Sequence, residues 1–73
     1  MRVEQFHSGG MYTHNAIDGA YLHIKTVLWI EDILSYEITF DIKSNDNDSI
    51  KASNQSMIVH NEDLYKWSQR CVC

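Results

Sequence analysis

Two histidines and an aspartate are the side chains of this chain best suited to hold a metal ion or to move a proton. His14, His23 and Asp41 would become neighbours if three adjacent strands carry them, and imidazole with a carboxylate partner is a common zinc environment. Asp41 could also orient His23 for acid–base chemistry beside Tyr21, but catalysis requires a recessed site that excludes water. The spacing matches neither a CxxC pair nor an HExxH helix. We therefore predict that the protein is not an enzyme and has no cofactor, and we keep metal binding as an alternative.

Two cysteines lie at the C-terminal end of the sequence. Cys71 and Cys73 are too close for a stabilising disulfide, because the loop between them is almost absent. The two thiols could chelate a metal together with His7 or His60, which leaves a second metal site open. The chain begins without an apolar leader, and no stretch reaches the length of a transmembrane helix. These features predict a cytoplasmic protein without a membrane partner.

The charge balance excludes one large class of partner. The 73 residues carry ten acidic and six basic side chains, which gives a net charge of −4 at pH 7. Such a chain lacks the basic footprint of a nucleic-acid-binding protein, and it is poorly suited to an anionic membrane. Between Glu31 and Asp48 there are six acids and one base, so this segment is more acidic than the whole. A segment of this kind favours a basic protein surface as its partner.

A period-two pattern in mid-chain predicts the sheet that would position these residues. From Leu34 to Lys43, apolar and polar residues alternate without a break. Alternation of this kind is typical of a half-buried strand, whose side chains point to opposite faces. The pattern therefore predicts a sheet with one buried face and one exposed face. Its apolar side consists of Leu34, Tyr36, Ile38, Phe40 and Ile42.

The pair Asp18-Gly19, between two possible strands, predicts a tight hairpin. A type I′ turn needs positive φ at both central positions, which Asp-Gly tolerates. A two-residue turn at this point would pair His14 with His23. The segment 20–30 also fits one face of a helix, but its β-branched residues and the turn before it favour a strand. The helical alternative stays open.

The next connection is selected by the need to keep the apolar faces together. A two-residue turn would set the apolar residues of one strand beside the polar residues of the next, because a slip of one residue turns every side chain over. A three-residue loop over 31–33 avoids this conflict, and it pairs Ile30 with Leu34 and Leu22 with Ile42. The sequence therefore predicts an odd-numbered loop between these strands.

The last third of the chain predicts one more strand and a helix. A loop of turn formers over 44–49 leads to a strand within 50–59, whose poor alternation indicates an edge strand with a bulge. Asn61 could cap a helix in which Leu64 and Trp67 recur at helical spacing. The predicted fold is α+β, a four-stranded antiparallel β-meander with one C-terminal helix packed on one face, in a single small domain. A short fifth strand over 1–7 is a possible addition. The predicted core is Met11, Ile17, Leu22, Ile24, Leu28, Ile30, Leu34, Tyr36, Ile38, Phe40, Ile42, Leu64 and Trp67.

The predicted exposed face gathers aromatic, imidazole and charged side chains. Tyrosine and tryptophan dominate interface hot spots, and acids around them speed the encounter with a basic partner. We therefore expect a non-enzymatic protein-binding module that docks a basic surface of a larger host protein or complex. The predicted contact residues are Tyr12, His14, Tyr21, His23, Lys25, Trp29, Glu37 and Asp41.

In size, acidity and single-domain form, the chain resembles the small phage- or mobile-element-encoded inhibitors that block host machines, including anti-CRISPR proteins. The resemblance is one of kind. It implies an inhibitor-type role, in which the protein occupies a basic, nucleic-acid-facing groove of a host protein without contacting nucleic acid itself. The alternative function is a small metal-binding or self-associating structural subunit, in which the edge strand within 50–59 pairs between two copies as a homodimer.

Overall fold

Five antiparallel strands form one sheet in the computed structural model, which describes residues 5–70. The strands are β1 (Met11–His14), β2 (Ala20–Ile30), β3 (Ser35–Ser44), β4 (Ile50–His60) and β5 (Trp67–Gln69). Their spatial order is β4-β3-β2-β1-β5, so the first four strands form a meander and the last strand pairs with the first. Two short 3-10 helices follow β2 and β4, at Glu31–Ile33 and Asn61–Lys66.

The predicted C-terminal helix is wrong, and with it the four-stranded α+β fold. A single six-residue 3-10 helix, Asn61–Lys66, follows β4; its N-cap residue is His60 rather than Asn61, and the His60 side chain makes no capping hydrogen bond. Trp67 returns to the extended conformation and begins β5, which pairs with β1 along its whole length. As the first residue of β5, Trp67 buries its side chain in the core while the backbone of the strand pairs with β1. The possible strand over 1–7 is absent at residues 5–7, and residues 1–4 lie outside the described part of the chain.

The second hairpin confirms half of its predicted register. Residues 20–30 form a strand, as predicted, and the helical alternative is wrong. Leu22 pairs with Ile42 as expected, but the register shifts by one residue at Lys25. This β-bulge turns the rest of β2 over, because side chains alternate with a period of two. Leu28, a predicted core residue, is therefore 57% exposed.

The first hairpin differs from its predicted register by three residues. The loop between β1 and β2 spans 15–19 rather than two residues, and Tyr12 pairs with Leu22. The shift turns Tyr12 into the core, where its hydroxyl accepts a hydrogen bond from the His7 N–H at 2.8 Å. Gly10 permits this approach, because a Cβ at that position would lie 2.8 Å from the Tyr12 ring. Ring burial thus decided the register that the turn signal had predicted wrongly.

The core lies on one face of the sheet, around an aromatic cluster of which the sequence pattern predicted Tyr36 and Trp67 but missed Phe6 and Tyr12. Phe6 packs edge-on against three rings, with centroid distances of 4.9 Å to Tyr12, 5.6 Å to Tyr36 and 5.1 Å to Trp67. Leu34, a predicted core residue, is instead 56% exposed. Of the other predicted core residues, Leu22, Ile24, Ile38, Phe40, Leu64 and Trp67 are buried, and Met11, Ile17, Ile30, Tyr36 and Ile42 are half-buried.

The sheet is wider at one end than at the other. Strand β1 pairs with β2 only at Leu22 and His23, whereas the pairs of β2, β3 and β4 continue to Ile30, Ser35 and His60. Five strands lie side by side at the end that contains Leu22. Only β2, β3 and β4 reach the opposite end, near Ile30 and Ser35, which we call the hairpin end. Within residues 5–70, none of the helices is long and apolar enough to cross a membrane.

Candidate functional site

The predicted histidine site is not assembled. His23 faces Met11 rather than His14 across the first hairpin, so the expected imidazole pair is wrong. His14 packs on the Trp67 ring at 4.7 Å, and its Nδ1 accepts a hydrogen bond from the Ala16 N–H at 3.0 Å. Among residues 5–70, no three His, Cys, Asp or Glu side chains are grouped to hold a metal ion. The possible Cys71 and Cys73 site lies outside these residues.

Tyr21 is on the predicted outer face but is covered. The Arg70 guanidinium lies 4.1 Å from the centre of its ring, and the Tyr21 hydroxyl donates a hydrogen bond to Asp48 Oδ1 at 2.8 Å. Arg70 also lies 3.7 Å from Asp48. The bond to Asp48 and the burial of the ring raise the pKa of Tyr21. This clamp holds the loop between β3 and β4 against the chain after β5, and leaves Tyr21 3% exposed.

Asp41 joins two bulges rather than facing a partner. Its Oδ1 accepts a hydrogen bond from the Asn54 N–H at 3.0 Å and lies 3.3 Å from Lys25 Nζ. Lys25 also donates to Asn54 Oδ1 at 2.7 Å. Lys25 is the bulge residue of β2, and Asn54 has a left-handed φ of 54° beside the register shift of β4. The three residues tie β2, β3 and β4 together at the bulges, and His23 lies opposite Asp41 as predicted.

This network predicts a specific acid sensitivity. The Asn54 N–H, and then the Lys25 charge, lower the pKa of Asp41 despite its burial. A carboxyl group with a lowered folded-state pKa contributes stability above its unfolded pKa, about 3.9, and loses it as pH falls through the folded value. Asp41→Asn is therefore expected to lower the urea midpoint at pH 7 and to flatten its decline between about pH 5 and 2. Asp46→Asn, in the exposed loop, is the matched control, and an equal effect of the two substitutions would contradict the network.

Trp29 and Glu37 occupy opposite faces of the hairpin end. After the bulge, Trp29 turns to the core face, where it packs on Tyr36 at 4.7 Å and donates from Nε1 to Glu31. Glu37 stays on the exposed outer face, between Leu28 on β2 and Ile58 on β4. The predicted contact surface is therefore dispersed, and Glu37 is the member that a partner at this end of the outer face would meet.

A group of exposed aliphatic residues replaces that surface. Leu28 and Ile58 lie in one cross-strand row, on either side of Glu37. Ile33 and Leu34 form the turn at the same end of the sheet. We call these four residues the hairpin patch, and their exposed fractions are 57% for Leu28, 51% for Ile33, 56% for Leu34 and 41% for Ile58. Single exposed apolar residues are ordinary, but a group of them marks a surface suited to contact.

The hairpin patch has an acidic rim. Glu37 lies within it, and Glu31, Asp32 and Glu62 adjoin it on the two 3-10 helices, all four being exposed. The segments 26–42 and 52–65, which supply the patch and its rim, contain no lysine or arginine. An apolar centre with an acidic rim complements a partner whose apolar contact is surrounded by bases. The acidic segment noted in the sequence therefore does border an exposed surface.

Ser35 and His60 lie beside the patch, in contact through their polar side-chain atoms. Ser35 is fully buried, and its hydroxyl donates to the Ile33 carbonyl at 2.8 Å. With the single hydroxyl proton of Ser35 directed to the Ile33 carbonyl, the 2.7 Å contact between Ser35 Oγ and His60 Nδ1 is a hydrogen bond in the tautomer whose Nδ1 carries a proton. In that tautomer His60 does not accept the serine proton. The pair fixes the orientation of the His60 ring.

No protein-family model, curated protein or solved structure matches this chain. Sequence reasoning missed the hairpin patch because it assigned Leu28 and Leu34 to the core. One signal was present: the predicted register turned Thr26 inward and the larger Val27 and Trp29 outward. The bulge reverses these three side chains, so that Thr26 is exposed, Val27 is half-buried and Trp29 packs on Tyr36 while it stays 39% exposed.

Proposed function

We propose that this protein is a non-enzymatic binding module that docks through the hairpin patch onto a basic surface of a larger protein. The observation that supports it is the exposure of four aliphatic side chains within an acidic rim. Partly desolvated apolar anchors supply binding energy, and the surrounding acids select and steer a basic partner. Blocking such a surface is the action of an inhibitor-type protein. A cytoplasmic partner is part of the same proposal.

The backbone of Leu34 supports a role for its side chain. Leu34 has a φ of 47°, in the left-handed region that a residue with a Cβ adopts at a cost of about 1–2 kcal/mol. Its N–H donates to the Glu31 carbonyl at 3.2 Å, and its carbonyl accepts from the Asn61 N–H at 3.0 Å, which hold this conformation. Glycine or asparagine suits this position better for folding. A leucine that is strained and still exposed is consistent with selection for contact.

The proposal is tested with Leu34→Asn, because asparagine tolerates the left-handed conformation. We expect its free energy of unfolding to stay the same or to rise by about 1 kcal/mol. The immobilised variant is expected to lose at least about tenfold in affinity, or about 1.4 kcal/mol, for a protein retained from a lysate of the source cells. The measurement combines urea unfolding with affinity capture and titration of the retained protein.

Ile50→Asn is the matched control, because Ile50 is 59% exposed but lies at the other end of β4. It is expected to retain the same protein as the wild type, and added salt is expected to weaken both complexes. Equal retention by Leu34→Asn and Ile50→Asn would contradict the proposal. The proposal is also contradicted if no retained protein binds Ile50→Asn more tightly than it binds Leu34→Asn.

Self-association is a second candidate, and the exposed edge of β4 favours it. Ten of its eleven residues are exposed or half-buried, and from Ala52 to His60 it contains no Asp, Glu, Lys, Arg or Pro. Charges and prolines are the usual protection of an edge strand, while the bulge at Asn54 protects one part of this one. Light scattering over a range of concentrations separates the candidates, since a monomer throughout would exclude pairing of β4 between copies.

A further inference from the structure

A groove beside the hairpin patch has two kinds of wall. Its volume is about 220 Å³, and it is lined by Ile33, Leu34, His60, Asn61 and Glu62. The first two residues supply aliphatic surface, and the last three supply polar atoms. This volume is enough for one long amino-acid side chain. The turn after β2 and the turn after β4 form the groove together, and the hydrogen bond from Asn61 to Leu34 joins them at 3.0 Å.

The polar side of the groove accepts hydrogen bonds. In the neutral tautomer of His60 whose Nδ1 donates to Ser35, Nε2 on the other edge of the ring is an acceptor. Glu62 supplies two carboxylate oxygens, and no ion pair holds it within the part of the chain that the structure describes. Its neighbour Asp63 differs, because Asp63 lies 3.5 Å from Lys66 Nζ. A group with several donors and a positive charge would complement these atoms.

We propose that this groove takes an arginine side chain from the basic partner. The methylene stem of an arginine would pack on Ile33 and Leu34, and its guanidinium would reach Glu62 and His60. Guanidinium carries five donors in a plane and is more weakly hydrated than ammonium, so an acceptor-lined, partly apolar groove favours it over lysine. The inference rests on the proposed function and names the side chain that anchors the basic surface.

The test uses short peptides as probes and the full chain labelled with ¹⁵N. Acetyl-Gly-Arg-Gly-amide is titrated against amide chemical shifts, with the lysine and the glycine peptides in parallel. The arginine peptide is expected to move the amides of Ile33, Leu34, Asn61 and Glu62, and to bind at least about threefold more tightly than the lysine peptide. The glycine peptide is expected to cause no shifts at these amides.

Glu62→Gln is the variant for the groove, and Asp63→Asn is its matched control on the same 3-10 helix. Glu62→Gln is expected to weaken the arginine peptide at least about fivefold, because the carboxylate charge is lost while the shape is kept. Asp63→Asn is expected to bind it as the wild type does. Both sites are on the surface, and the amide spectra of the two variants report directly whether they are folded.

Three results would overturn the inference: equal binding of the arginine and lysine peptides, shifts confined to other residues, or full binding by Glu62→Gln. None of these affects the capture of a larger protein through Leu34. Loss of that protein in Leu34→Asn, together with no preference for arginine, would leave the docking function standing and remove this anchor. Arginine binding without any captured protein would support the groove and contradict the proposed function.

Discussion

Leu22→Lys is expected to prevent folding, and Leu28→Lys is expected to leave the fold intact. The two leucines are six residues apart in β2, an even number, so a regular strand would turn them to the same face. The bulge at Lys25 separates them, and Leu22 is 0% exposed whereas Leu28 is 57% exposed. A lysine at Leu22 removes a core side chain and brings a charge into its place, at a cost above about 4 kcal/mol. A lysine at Leu28 changes stability by about 0.5 kcal/mol or less.

Circular dichroism melting curves and amide spectra of the two variants measure this difference. The wild type and Leu28→Lys are expected to unfold at similar temperatures with similar spectra, and Leu22→Lys is expected to lack a cooperative transition. If both variants unfold, β2 is regular and Leu28 belongs to the core. In that case the hairpin patch would lose one of its four residues, so the experiment also tests the surface on which the proposed function depends.

Phe6→Ala is expected to cost about 3–5 kcal/mol of unfolding free energy. Phe6 is 4% exposed and packs edge-on against Tyr12, Tyr36 and Trp67, which belong to three different strands. Its removal leaves a cavity and breaks three aromatic contacts. Stability in a domain of this size is small, of the order of 5–10 kcal/mol, so the loss is a large part of the total.

Urea unfolding at 25 °C measures the effect, with Phe6→Leu as the graded variant and Tyr65→Ala as the control. Phe6→Leu keeps most of the volume and is expected to cost less than half as much as Phe6→Ala. Tyr65 is 67% exposed, so Tyr65→Ala is expected to stay within about 0.5 kcal/mol of the wild type. A change of less than about 1 kcal/mol in Phe6→Ala would show that the segment before β1 does not close the core.

The sequence predicted correctly those strands whose signal lies in the residues of one short segment. The alternation of Tyr36, Ile38, Phe40 and Ile42 placed all four on the core face of β3, as the structure has them. The strand over 20–30 and the bulged edge strand within 50–59 were likewise predicted and are confirmed. In each case the side chains of one short segment carry the signal.

The candidate site was predicted much less well, because its position depends on register. Glu37 was placed correctly on the outer face, since it lies within the well-predicted strand. Tyr12 and Trp29 were placed on the outer face but lie on the core face, the first through the shifted register of β1 and the second through the bulge. Asp41 was placed on the correct face, but the sequence did not indicate that Asn54 and Lys25 would cover it.

The sequence by itself determined that this chain forms an antiparallel sheet with one apolar face and an acidic middle segment. Only the tertiary structure decided which residues that sheet exposes. The bulge at Lys25 is held by Asp41 and Asn54 from two other strands, and the register of β1 is held by the burial of Tyr12 against Phe6. The contacts at the bulge join residues far apart in the chain, and Phe6 lies outside the strand whose register it fixes. Their free energies therefore cannot be read from the period of any one segment.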